Sequence, residues 1–468
     1  MGRRQMLRTP LLGRTVTLIL AVSCGVIALV TPDWRQKLLA AYQPLPLDGS
    51  LKPLDGSLNR TQRSMVEVLF EACSQRNQSL GMGFRDRCDR LVGTALDEGS
   101  DPAEVRQALF RISPEQLTLY GIQANRTMAS NINVVNTSIL GRLQTLRARL
   151  DTVRFAGVQL FKDGRPLRGG NAGSDAFGEL GIWLNTSFHT GEVDSTREVK
   201  GFDFDNWSFT AGIDYKILES VVFGGAFTYV NSSNDFDNGA GDTDYDSYIG
   251  SIYGSFYPVE DLYVDILATY GHLNFDTTRD IRYLLVSSAD PANRDLVDTK
   301  ARGDTDGRQW GVTLSTGYEL HWQALNFTPY ARFSYLRLNV DDYRETGGSG
   351  WALRFDDQDI ESMKSVAGAR ISYAMSLPWG VLSPQVYGEW HHEFRDPGRN
   401  IKASFVGDPA AQQFSIFVPR PDRDYGLVGG TLTATLAWGV SAFIGYEALV
   451  GYDRITSHRV TFGGRLQF

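Results

Sequence analysis

From Phe177 onward, apolar and polar residues alternate with a period of two, the period of a strand whose successive side chains point to opposite faces. Twelve such runs follow one another. The first spans 181–189. The second sets Trp207, Phe209, Ala211, Ile213 and Tyr215 against Ser208, Thr210, Gly212 and Asp214. Runs 221–229, 248–256 and 262–270 repeat the scheme, and 310–320 is the cleanest. Runs 327–340, 364–376, 382–394, 425–437, 438–451 and 458–468 complete the set. Short links such as 217–220, 258–261 and 377–380 alternate with long polar ones such as 280–307 and 395–423.

A soluble sandwich also alternates, so the content of the two faces decides. Aromatics cluster towards the ends of the apolar faces (Trp207 and Tyr215, Tyr248 and Phe256, Trp310 and Tyr318), where an interfacial girdle would lie. The middles of these faces carry no charge, and a Lys or Arg there would cost about 2–4 kcal/mol at a bilayer midplane. The opposite faces are small or charged and suit a wet interior. Closing the strands into a ring leaves no edge and satisfies every backbone group in lipid. The predicted fold is an all-β transmembrane barrel of twelve antiparallel strands over residues 177–468, with a helical segment before it.

Composition sharpens this. The 468 residues include 48 Gly, 25 Phe, 20 Tyr and 9 Trp, which suits many strands joined by tight turns. A mean hydropathy of -0.23 excludes a helical membrane protein but not a barrel with a polar lumen. The net charge of -8 argues against nucleic acid, whose phosphates call for a basic face.

Ahead of the barrel the chain falls into four zones. Residues 1–31 have a basic start (Arg3, Arg4, Arg8, Arg14) and an apolar run shorter than the ~20 residues of a spanning helix. They read as a Sec export signal or an uncleaved anchor; a lipoprotein box at Cys24 and a twin-arginine signal fit less well. Residues 32–58 form a linker with a repeated Pro-Leu-Asp-Gly-Ser-Leu. Residues 59–112 read as a small helical segment with Asn59 and Thr61 as candidate caps. A second start lies at Asp101-Pro102-Ala103-Glu104. Cys73 and Cys88, isolated in an exported chain, are most simply a disulfide closing a loop of about 15 residues. Residues 113–176 contain a long, Asn-rich helical stretch from Pro114 to about Leu150. It suits either a helix threading a water-filled tube or an amphipathic surface helix.

The residues from 177 on resemble the autotransporter family, the type V secretion proteins. Gly201-Phe202-Asp203-Phe204-Asp205 before the second strand is one motif, and Tyr387-Gly388-Glu389-Trp390-His391-His392-Glu393-Phe394 another. The closing hairpin, Tyr446-Glu447 and 458–468, ends on Thr461, Gly463, Leu466 and Phe468, the pattern of an outer-membrane assembly signal. The resemblance implies a monomeric translocator barrel that exports or displays its own passenger. It also implies residence in the outer membrane of a Gram-negative bacterium and a helix through the pore. Its partners would be outer-membrane lipid, the Sec translocon, periplasmic chaperones and the barrel-assembly machinery. The amino-terminal segment would then lie in the pore, the periplasm or at the cell surface. The chain departs from the family in its short passenger, and Asn131 and Asn133 are not the adjacent pair at which some members cleave themselves.

Candidate chemistry is sparse. His391-His392-Glu393 lacks the second His of a zinc helix and lies in a strand. Gly347-Gly348-Ser349-Gly350 lacks nucleophile-elbow spacing, and the acidic stretch 235–246 lacks calcium-loop spacing and reads as a solvated extracellular loop. No catalytic residue, metal site or cofactor is expected. The expected lumen-facing residues are Glu319, Arg332, Arg370, Glu389, Glu393, Glu447, Arg459 and Arg465, whose charges would pair across the lumen and shape its ion preference. The alternative function is a surface adhesin or interaction protein acting through loops 280–307, 341–358 and 395–423.

Overall fold

The computed structural model describes residues 58–74, 81–96, 100–115, 160–162, 165–167, 179–218, 220–259, 261–286, 294–395, 398–436 and 439–467. The export signal, the repeat linker, most of the 114–150 stretch and Phe468 lie outside the described residues.

Twelve strands form the barrel: β1 (Leu180–Val193), β2 (Phe202–Leu218), β3 (Val221–Phe236), β4 (Gly241–Val259), β5 (Leu262–Val286), β6 (Arg294–Tyr318), β7 (Leu325–Val340), β8 (Gln358–Tyr373), β9 (Gly380–Glu393), β10 (Asp424–Leu436), β11 (Val440–Val450) and β12 (Ile455–Gln467). Each pairs antiparallel with the next. β12 then pairs with β1, Ile455 opposite Val193 and Gln467 opposite Gly181, and closes the ring. β1 begins and β12 ends at the rim of short turns; the long connections gather at the other rim. The outer face is apolar, with Ile213, Phe227, Ile252, Leu314 and Phe462 all exposed. No described helix is long and apolar enough to cross a membrane, which says nothing of the strands.

Near the long-loop rim the apolar positions change sides. In β2, Trp207, Phe209 and Ile213 face outward, but Phe202 and Phe204 are buried inside with Val193, Phe236 and Ala240. In β7, Phe327 and Phe333 face outward, whereas Leu336, Leu338 and Val340 are buried. The barrel wall leaves its apolar surroundings at this level, and its inner face acquires an apolar packing partner.

That change corrects several expected boundaries. Four of the five motif residues, 202–205, belong to β2 and are not a lead-in to it. The supposed polar loop 280–307 is largely strand: β5 and β6 pair from Leu262–Tyr318 to Val286–Arg294, with Ile281, Tyr283, Leu285 and Val297 buried. The acidic stretch 235–246 is mostly β3 and β4 around a tight turn at 237–240. The long loops carry their own four-stranded sheet, made of Tyr343–Arg344, Leu353–Phe355, Arg399–Phe405 and Gln413–Val418.

Three helices precede the barrel: α1 (Arg60–Ser74), α2 (Met82–Leu96) and α3 (Pro102–Ile112). α1 starts on a reciprocal capping box, with Gln62 N donating to Asn59 Oδ1 at 2.8 Å and Asn59 N to Gln62 Oε1 at 3.2 Å. α3 starts on Asp101, which accepts from Ala103 N at 2.8 Å, with Pro102 in the first turn where its missing N–H costs nothing. Met65 and Leu69 of α1, Leu91 of α2, and Ala108 and Leu109 of α3 are buried, and Cys73 and Cys88 are disulfide-bonded. A short hairpin, Leu160–Lys162 with Arg165–Leu167, lies between α3 and β1 in sequence.

Candidate functional site: the lumen and its outer mouth

Among the described residues, three clusters of paired opposite charges stand on the inner wall. In the first, Arg332 Nη2 and His391 Nε2 each lie 2.7 Å from Glu389 Oε2, and Tyr330 OH donates to Oε1 at 2.7 Å. In the second, Arg459 Nη1 donates to Glu447 Oε1 at 2.9 Å and Tyr387 OH to Oε2 at 2.9 Å. In the third, Arg465 pairs with Asp214, which also accepts from Tyr253 OH at 3.1 Å; that hydroxyl in turn accepts from Trp183 Nε1 at 2.8 Å. With each guanidinium set against a carboxylate, such clusters avoid the large cost of burying a lone charge, although Arg459 Nε has no hydrogen-bond partner.

The remaining inward candidates lie apart from these. Glu319 is at the short-turn rim, where Asn326 Nδ2 approaches it at 3.4 Å. Glu393 is near the opposite rim and accepts from Ser362 Oγ at 2.5 Å and Met363 N at 2.8 Å. Arg370 departs from the expected carboxylate pairing: it donates to Tyr263 OH at 3.0 Å and stacks over the Tyr330 ring at 5.1 Å. The ring face offers a cation a partner that sequence charge-matching overlooks.

Sequence reasoning also passed over the inward aromatics, although a signal for them exists. Trp183, Phe204, Tyr253, Tyr263, Tyr330, Tyr387 and Phe443 each lie directly across from a glycine, namely Gly212, Gly191, Gly224, Gly317, Gly368, Gly429 and Gly463. A Cβ on Gly317 or Gly368 would meet the facing tyrosine at 2.5 or 2.6 Å. The glycines make room for rings to lie flat on the inner wall.

At the long-loop rim the three helices are fastened to the loops. Arg279 of β5 makes a bidentate pair with Glu345 and donates to Trp351 O at 2.7 Å and to Ile112 O at the end of α3. Lys200, in the β1–β2 loop and 2 % exposed, donates to Ser113 O at 2.9 Å and stands 4.7 Å over the Phe110 ring. Burial pulls the Lys200 pKa down to about 8 against the opposing pull of Glu115, and burial pushes the Glu115 carboxyl up. Asn59 Nδ2 donates to Glu115 at 2.6 Å and to Arg197 O at 2.9 Å.

The helices also cover exposed strand edges in the loops. Ser415 N and Phe417 N donate to Ser64 Oγ and Thr61 Oγ1, each at 2.9 Å, and Val286 N donates to Glu104 at 3.1 Å. Uncovered edges would offer unpaired N–H groups to any passing strand. Phe84 of α2 stacks on Phe405 at 5.1 Å and meets Trp351 edge-on at 6.0 Å. Beside it the backbones touch, Gly81 N donating to Gly407 O at 3.0 Å. A side chain at Gly407 would strike Phe84.

Among the described residues, no group of three or more His, Cys, Asp or Glu is arranged to hold a metal ion. A model of the family described as Autotransporter beta-domain matches residues 182–447. The chain is 28% identical over 269 residues to the esterase EstA of Pseudomonas aeruginosa, covering 56% of this chain and 39% of that protein. It is 24% identical over 283 residues to outer membrane protein A of Rickettsia conorii, covering 60% of this chain and 13% of that one. The chain thus spans about two fifths or less of the length of these curated relatives. Among solved structures, the translocator domain of the autotransporter NalP from Neisseria meningitidis covers 62% of this chain and 89% of its own, at 13% identity and a TM-score of 0.49.

Proposed function

The chain belongs to the autotransporter family of outer-membrane barrels, and on that premise we propose that its barrel carries the chain's own amino-terminal segment across the outer membrane and keeps the helical unit on display outside. It is a monomeric translocator barrel of a Gram-negative outer membrane. The long-loop rim is the outer one in this reading, following the short-turn, long-loop asymmetry of such barrels.

One observation carries the proposal. Glu115 is fastened at the long-loop rim by Asn59 and Ser113, while β1 starts at the short-turn rim, where Lys216 N donates to Glu179 O. Residues between 115 and 179 therefore have to travel the length of the wall, on the order of 40 Å for a strand the length of β1. The stretch carries Asn125, Arg126, Asn131, Asn133, Asn136 and Arg142, side chains that are costly in lipid, so in this reading the route is the lumen. A helix from Pro114 to about Leu150 would span roughly 55 Å, enough for that passage. The arginines and carboxylates of the inner wall would meet the threading segment.

The long loops, which a surface-adhesin reading would leave free, are packed against the helical unit. A partner outside would therefore meet loops and helices together. The esterase in one relative's name belongs to that protein; for this chain the barrel is the transport device and is not itself enzymatic. Export through the Sec translocon, escort by periplasmic chaperones and delivery to the barrel-assembly machinery through Thr461, Gly463, Leu466 and Phe468 complete the proposal, the last strand being read by strand addition.

Labelling tests it. A cysteine at exposed Arg106 of α3 (Arg106→Cys) should react with a membrane-impermeant maleimide on intact cells. Reaction only after the outer membrane is permeabilised would overturn the display reading.

A further inference from the structure

The three helices hold loops from all around the outer mouth of the barrel. Asn59 Nδ2, just before α1, donates to Arg197 O in the β1–β2 loop at 2.9 Å, and Arg111 Nη1 of α3 donates to Asn238 O in the β3–β4 turn at 2.7 Å. Arg87 of α2 pairs with Asp295 on the β5–β6 hairpin. Phe84 meets Trp351 of the β7–β8 loop, and Gly81 N bonds Gly407 O of the β9–β10 loop. Among the described residues, the helical unit thus touches five of the six outer connections. The β1–β2 and β7–β8 connections stand six strands apart in a ring of twelve, on opposite sides of the opening. A unit that grips both has to span it.

The seat is also close. A Cβ on Gly350, which has φ +105°, would lie 2.6 Å from Gly83 O, so loop and helix approach more nearly than side chains would permit. Beneath this seat the wall changes character. Inward positions of β2 run Phe202 and Phe204, then Asn206, Ser208 and Thr210; those of β7 run Val340, Leu338 and Leu336, then Ser334 and Arg332. On these strands the lumen is lined by apolar side chains at its outer end and by hydroxyls, an amide and a charge below. A polar wall stays wetted beside a threading segment, and ions follow the water. An apolar constriction sheds water and stops ions. Passage can therefore be blocked where the apolar end of the wall lies under the docked helices.

We propose that α1–α3 are the closure of the pore: docked, they seal the apolar outer end of the lumen against ions, and lifted, they open it. This goes beyond carriage and display, because it gives the docked unit a task in the finished barrel whichever way the chain passed.

The test measures ionic current through the full chain in planar lipid bilayers bathed in potassium chloride. Wild type should stay closed apart from brief openings. Gly407→Trp drives a side chain into Phe84 and unseats α2; Arg279→Met removes the tie to the end of α3. Each should raise the time-averaged conductance by about tenfold or more, and the two together should raise it further. Hydrogen exchange in α1–α3 reports whether the helices have lifted, and heat-modifiable migration on gels whether the barrel is intact. A wild type that conducts as a steadily open pore would overturn the proposal. So would lifted helices in the double variant with the current still at the wild-type level, because the closure would then lie deeper in the lumen. A rise in current without faster exchange in the helices would overturn it as well. The current does not depend on which side of the cell the helices face, so a failure here leaves the display reading to the labelling of Arg106→Cys.

Discussion

Arg279 and Glu345 form a bidentate ion pair in which both side chains are almost wholly buried, with Nη2 to Oε2 at 2.6 Å and Nε to Oε1 at 3.1 Å. The same guanidinium reaches Trp351 O and Ile112 O. One residue of a barrel strand therefore holds a loop and the carboxyl end of α3, where a positive charge also suits the helix dipole.

Breaking this pair from one side should loosen the helical unit. Arg279→Met strands a buried carboxylate, and such truncations cost about 3–5 kcal/mol. Hydrogen exchange in α3 should speed up strongly while the barrel keeps its heat-modifiable migration. The double replacement Arg279→Met with Glu345→Leu removes both charges and should recover much of the loss. A double variant as loose as the single one would show that the hydrogen bonds Arg279 donates to Trp351 O and Ile112 O carry the docking instead.

Lys200 makes that docking depend on pH. Its pKa in the docked state is about 8, below the ordinary lysine value of about 10.4. Between those values the undocked state holds more protons than the docked one, so stability rises with pH through this window. Below pH 8 the lysine is charged in both states and the penalty is full. Protection of α3 should therefore increase from pH 7.5 to 9.5 in the wild type, and Lys200→Met should flatten the increase. An unchanged slope in the variant would assign the effect to another group.

The disulfide should matter to the helices and not to the barrel. Cys73 and Cys88 are 15 residues apart, and a loop of that size is worth about 3 kcal/mol on the chain-entropy estimate. Reduction, or the double substitution Cys73→Ser with Cys88→Ser, should make α1 and α2 open to mild surface proteolysis of intact cells. The barrel's resistance to boiling-free gel unfolding should not change. Loss of the barrel together with the helices would mean that the two fold as one unit.

Sequence alternation revealed the twelve strands because lipid-facing and inward positions differ in polarity along each strand. It failed where both environments became apolar. At Phe202 and Phe204, and again from Ile281 to Leu285, the inner face packs against partners at the rim. The parity of apolar residues switches there, and a reader following one parity ends the strand too early. Charge counting likewise named Arg332, Glu389, Glu447 and Arg459 but misassigned Arg370, whose partners are aromatic. Asp214, the partner of Arg465, was legible only as one polar position among several. The loop sheet and its covering by Thr61, Ser64 and Glu104 depend on contacts hundreds of residues apart, which no local pattern encodes.

The glycine–aromatic rule on the inner wall gives the sharpest prediction, at the strand that closes the ring. Gly463 of β12 lies across from Phe443 of β11 on one side and Asn185 of β1 on the other. A Cβ there would collide with the Phe443 ring and with Asn185 Oδ1. Relieving both contacts would require the Phe443 ring and the Asn185 amide to turn away together. Gly463→Val should therefore block closure between β12 and β1, and the heat-modifiable form should disappear from the outer-membrane fraction. Pairing Gly463→Val with Phe443→Gly empties the ring's place and should restore part of the folded form. Substituting valine at Gly464, which faces the other way and meets only Ser441 O at 3.5 Å, should leave closure intact. If the valine at 464 were as damaging as the one at 463, the assembly signal's need for small residues would explain both losses and the packing argument would fall.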